Sequence, residues 1–82
     1  MAVRFHPHAE QRMAERGATD SEVSAVIQGG EQFEARFGRA GFRRNFAFDE
    51  QWRGKFYRSK QLEVYAVQDA DDWLVISIVR YF

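Results

Sequence analysis

The stretch Phe5-His6-Pro7-His8-Ala9-Glu10-Gln11-Arg12-Met13-Ala14-Glu15-Arg16-Gly17 decides how this chain folds, because it reads as a short helix marked at both ends. Pro7 suits the first helical position, where its missing N–H would have had no partner, and Gly17 suits the left-handed residue that closes a helix. At about 3.6 residues per turn, Phe5, Ala9 and Met13 form an apolar row. His8, Arg12 and Arg16 form a second row beside it. A titratable ring and two guanidinium groups thus line the edge of a seam that must be buried elsewhere in the chain.

Outward from that helix, Thr19-Asp20-Ser21-Glu22 offers a capping box that opens a second helix. Val23, Val26 and Ile27 give it a buried stripe, and Gly29-Gly30 ends it. Two helices with a tight connection suggest helix-turn-helix DNA binding. The second helix, however, has no basic residue, and Asp20 and Glu22 would meet phosphates with the wrong sign.

From residue 31 the periodicity becomes alternating, the signature of strands. Phe33, Ala35 and Phe37 alternate with polar neighbours, Gly38-Arg39-Ala40-Gly41 turns, and Phe42, Arg44, Phe46 and Phe48 continue. Residues 49–54 read as a polar loop around Trp52, and 55–58 as a further extended piece. Residues 62–69 read as a strand, 70–72 as a turn and 73–82 as the most β-rich run. In that last run Trp73, Val75, Ser77, Val79 and Tyr81 are expected on one face and Leu74, Ile76 and Ile78 on the other. Apolar residues on both faces imply a central or doubly covered strand. The expectation is one α+β domain over residues 1–82, two N-terminal helices packed on an antiparallel sheet of about four strands.

Composition narrows the chemistry. The chain has 82 residues, enough for one core, and no cysteine, which excludes disulfides and thiolate metal sites. No run is long and apolar enough to span a bilayer, and the start lacks the order of a signal peptide, so a cytoplasmic protein without a membrane partner is expected. The zero net charge hides an uneven layout: residues 36–60 carry eight cations against two carboxylates, +6, and each flank carries −3. Ten of the twelve cations are arginine, the side chain suited to bidentate phosphate contact. An anionic ligand or an acidic protein partner is implied.

His8 is the leading candidate for chemistry. At a helix N-terminus the partial positive charge favours neutral imidazole, ready to accept a proton, and also attracts phosphate. The competing reading is a contact with local backbone only. Arg12 and Arg16 can clamp a phosphate and offset charge that builds on it, or else pair with Glu15 or Glu22 to fasten the two helices. The His6-x-His8 pattern lacks further ligands at metal spacing, so neither metal nor other cofactor is expected. Arg43, Arg44, Arg53 and Arg58 are candidate RNA-backbone contacts, and Trp52 a candidate stacking residue. Lys60 is a further candidate cation beside the phosphate. Ser77, a hydroxyl amid an apolar strand, and Tyr81 on the same expected face complete the set.

The run His8-Ala9-x-x-Arg12-Met13-x-x-Arg16-Gly17 followed by a second helix resembles the signature of a bacterial family known as domain of unknown function 4258. Tyr57-x-x-Lys60-Gln61-x-x-Val64 and Val75-Ile76-Ser77-Ile78-Val79 look like its C-terminal half, with Ser77 where members usually carry threonine. That family is similar in layout to the RelE, ParE and BrnT toxins. The resemblance implies a toxin-like, metal-independent endoribonuclease that cleaves RNA by attack of the 2′-OH on the adjacent phosphate. Alternatively, it implies a non-catalytic module of the same fold that docks an acidic antitoxin-like or other protein.

Overall fold

The computed structural model describes residues 2–81. In chain order the elements are β1 (Val3–Phe5), α1 (Pro7–Arg16), α2 (Asp20–Gly29), β2 (Glu31–Glu34), β3 (Ala40–Trp52), β4 (Lys55–Asp69) and β5 (Asp72–Tyr81). A tight turn, Arg36–Gly38, with Phe37 at φ 62° and Gly38 at φ 69°, joins β2 to β3. The strands form one sheet in the order β1-β5-β4-β3-β2. The α+β class is as expected, but the sheet has five strands and is mixed. β1 is too short to show periodicity, and it adds to the sheet edge parallel to β5, Val3 opposite Trp73 and Phe5 opposite Val75.

Both helices form where their end signals stand. Gly17 closes α1 at φ 64°, and its N–H reaches the Met13 carbonyl. Thr19 and Glu22 complete a reciprocal capping box at the start of α2. The helices lie on one face of the sheet, where Ala9, Met13, Val23 and Val26 meet Phe42, Leu62, Val64, Ala66, Val75 and Ile78 in a single core.

Two irregularities break the alternation. In β5 the register against β4 shifts so that Tyr65 opposes Ser77 while Ala66 opposes Val75, leaving Ile76 as the extra residue. The buried positions are therefore Val75 and Ile78, three apart. Everything after Ile76 changes side: Ser77 leaves the expected face, and Arg80 joins the helix side. In β3 a second shift lies between Ala47 and Glu50, with Asp49 at φ 48°. Beyond it, the expected loop over 49–54 is the rest of a long hairpin, closed by Arg53 at φ 52° and Gly54 at φ 82°. Positive φ at both central residues is what a two-residue type I′ turn requires, since it matches the twist of the flanking strands.

The other face of the sheet carries no helix among the described residues. There Phe33 lies across Gly41, whose hypothetical Cβ would come within 2.3 Å of the ring, so only glycine admits this contact. Arg43 stacks on Phe33 at 4.2 Å, and Tyr65 meets Phe33 edge-on at 6.2 Å.

Among the described residues the core holds one charged side chain, Lys60, 5% exposed on β4. Its Nζ pairs with Glu22 Oε2 of α2 at 2.6 Å, joining helix to sheet. Burial opposes ionisation of Glu22, but hydrogen bonds from Lys60 and from the Thr19 N–H and hydroxyl outweigh it and hold the carboxyl below its ordinary value. Since the folded pKa is the lower one, the stabilisation is present above the unfolded pKa and is lost as pH falls through the folded one. Urea unfolding is expected to show stability declining below about pH 4.5, and Glu22→Gln should flatten that part of the profile. Glu22→Ala should cost about 2–4 kcal/mol at neutral pH by stranding the buried ammonium.

Candidate functional site

The hollow that best fits an anion lies where three elements meet: the C-terminal half of α1, the tip of the β3–β4 hairpin and the end of β5. It encloses about 420 Å³ and is lined by Arg12, Glu15, Arg16, Trp52, Arg53 and Arg80. Four guanidinium groups thus face one carboxylate.

Each element delivers its residues for a local reason. The i, i+4 spacing on α1 turns Arg12 and Arg16 to the same side. The β3 irregularity bends the hairpin so that Trp52 returns over the helix end. Its ring reaches the C-terminus of α1, where a Cβ on Gly17 would stand 2.9 Å from both Trp52 and Arg80. The Ile76 irregularity in β5 turns Arg80 inward. Arg80 Nη1 donates to the Arg16 carbonyl at 2.8 Å, and its guanidinium lies 4.3 Å from the Trp52 ring and 4.6 Å from that of Phe48. Burial lowers the Arg80 pKa, and the Glu22 and Tyr57 charges act the other way; arginine nevertheless keeps its proton.

His8 sits one turn before Arg12, exposed and outside the lining of the hollow. Arg12 Nε donates to His8 Nε2 at 3.4 Å. His6 has a separate task, since its Nδ1 accepts from the His8 backbone N–H and caps the helix. Among the described residues no group of three or more potential metal ligands occurs.

Of the residues expected to form the site, Arg12, Arg16, Trp52 and Arg53 come together here, with His8 adjoining. Lys60 does not, because it is buried against Glu22. Ser77 lies on the uncovered face of the sheet opposite Tyr65, beside a separate groove. The hydrogen bond to Glu63, chiefly, and burial push the Tyr65 phenol up to about 12, so it stays a proton donor there. Tyr81 is exposed at the end of β5. Arg43 and Arg44, adjacent on β3, point to opposite faces. Arg43 lies near Glu63 at 3.8 Å, and Arg44 donates to the Ala25 carbonyl of α2 at 3.2 Å. Arg58 is exposed and does not line the hollow. Sequence reasoning missed Arg80; its one signal is a lone cation closing an apolar strand in an acidic tail. Neither arginine of α1 fastens the two helices, since both pair with Glu15 of the same helix.

Gly17→Ala tests the junction of helix, hairpin and final strand. A left-handed alanine costs about 1–2 kcal/mol, and its methyl displaces Trp52 and Arg80. Chemical denaturation should show a loss of at least that size, accompanied by a change in tryptophan fluorescence.

No curated protein and no solved structure matches the chain. A family profile described as Domain of unknown function (DUF4258) matches residues 5–80. That span takes in both helices, the hairpin and all but the end of β5, and on it the chain belongs to the DUF4258 family.

Proposed function

We propose that the protein is a small, metal-independent endoribonuclease of toxin-like type, related in layout to the RelE, ParE and BrnT proteins. The observation that carries this reading is the hydrogen bond from Arg12, a wall of the arginine-lined hollow, to His8 at its margin. A phosphodiester held by Arg12, Arg16 and Arg53, with the charge of Arg80 behind them, would lie next to a ring able to accept a proton. The 2′-oxygen then forms a bond to phosphorus and the P–O5′ bond breaks. As Arg12 turns from His8 to the phosphate it frees Nε2, which takes the 2′-OH proton, and the departing 5′-oxygen takes a proton from solvent. The guanidinium groups offset charge on the phosphoryl oxygens as the transition state forms.

The expected product carries a 2′,3′-cyclic phosphate and forms equally in EDTA. His8→Ala should lower the cleavage rate by about 10²–10⁴ and Arg12→Ala by about 10²–10³. Ser77→Ala, on the far face, should stay within about twofold of the parent. RNA left intact by the purified protein, or cleavage unchanged in His8→Ala, would overturn the catalytic reading.

A second reading is supported by a different surface. Phe37, 87% exposed at φ 62°, stands between Arg36 and Arg39 beside a groove of about 410 Å³ on the uncovered face of the sheet. A ring held outward in a disfavoured backbone conformation suits a non-catalytic module that docks an acidic antitoxin-like protein. On that reading Arg36→Glu with Arg39→Glu abolishes partner binding, and His8→Ala leaves it unchanged.

A further inference from the structure

Glu15 is the one acidic side chain in the wall of the arginine hollow. Its Oε2 accepts from Arg12 Nη1 at 3.0 Å and lies 3.4 Å from Arg16 Nη1, while Oε1 accepts from Gln11 Nε2 at 3.2 Å. All three partners belong to α1, so the arrangement ties no two elements of the fold together. Exposed pairs within one helix also contribute little stability. Among the described residues no other carboxylate pairs with Arg12 or Arg16 through its side chain. The carboxylate therefore stands where two guanidinium groups converge, with one oxygen between them in the position that a non-bridging phosphate oxygen would take.

We infer that Glu15 is an internal stand-in for the phosphate, which holds the Arg12 and Arg16 guanidiniums in place and must swing aside before an RNA phosphate can take them. This rests on the reading of the hollow as the RNA-binding site and adds a gate to it. The Arg12 hydrogen bond is the main cause that keeps the Glu15 carboxyl below its ordinary pKa, with burial opposing and Gln11 and the Arg16 charge assisting. The stand-in is thus ionised at neutral pH. Its side chain is 42% exposed, so rotation outward meets no packed barrier. Exchange of carboxylate for phosphate keeps both arginines paired throughout.

The test uses a short 2′-O-methyl oligouridylate, which cannot be cleaved, and fluorescence anisotropy at low salt. Glu15→Gln should bind it about fivefold more tightly than the parent, the worth of one exposed ion pair removed from competition. Glu10→Gln makes the same change of charge on the same helix, but Glu10 borders Phe5, Met13 and Asp20 and not the hollow. It should shift affinity by less than about twofold. Equal effects of the two substitutions, or none from Glu15→Gln, would overturn the stand-in. Arg12→Ala combined with Arg16→Ala reports on the site itself. If that variant binds as well as the parent, or if no form binds, the RNA-binding reading falls along with the gate. Weakened binding there with a silent Glu15→Gln removes the gate alone.

Discussion

The guanidinium of Arg80 holds together the end of the molecule where the arginines gather. It reaches from β5 to the last carbonyl of α1, where the helix dipole concentrates partial negative charge, and it offers its flat face to Trp52 and Phe48. One side chain thereby joins the opening helix, the hairpin tip and the closing strand. Each contact depends on a backbone feature: the left-handed glycine at 17, the shift in β3 near Asp49 and the extra residue in β5 at Ile76. The arginine hollow is a by-product of that junction, since its walls are the flanks of the three elements that Arg80 gathers.

Local signals made the helices legible. Pro7, Gly17, Thr19 and Glu22 act through neighbours a few residues away, and their physical preferences have the same outcome in any tertiary setting. The sheet was legible only in outline. Alternation is a rule about phase, and one extra residue inverts the phase for everything downstream. Ile76 did this to Ser77, which left the face expected of it, and it set Arg80 on the helix side. Trp52 looked out of place in a loop because the turn is only Arg53 and Gly54, and arginine at positive φ leaves no mark in a sequence. The three-residue β1 owes its pairing to β5 across almost the whole chain, and no local pattern announces that.

The site was half legible for the same reasons. His8, Arg12 and Arg16 share a helix face, so their spacing alone placed them together. Lys60 looked like a cation available for a ligand, but a buried ammonium needs a partner, and the capping glutamate of α2 is spent on it. Arg43 and Arg44 sit side by side in sequence and on opposite faces of the sheet, which is the ordinary fate of neighbours on a strand.

The parallel contact of β1 with β5, together with the seat of α1 on that same strand, has a kinetic meaning. The β3–β4 hairpin can zip from its own turn, because its partners are near in sequence. The register of Val3 with Trp73 instead closes a loop of nearly the full chain, and such closure is slow because its entropic cost comes before its reward. A helix of ten residues has little stability alone in water, so α1 depends on its long-range seat against β5. The cluster of guanidinium groups at its flank therefore exists only once that distant contact is made.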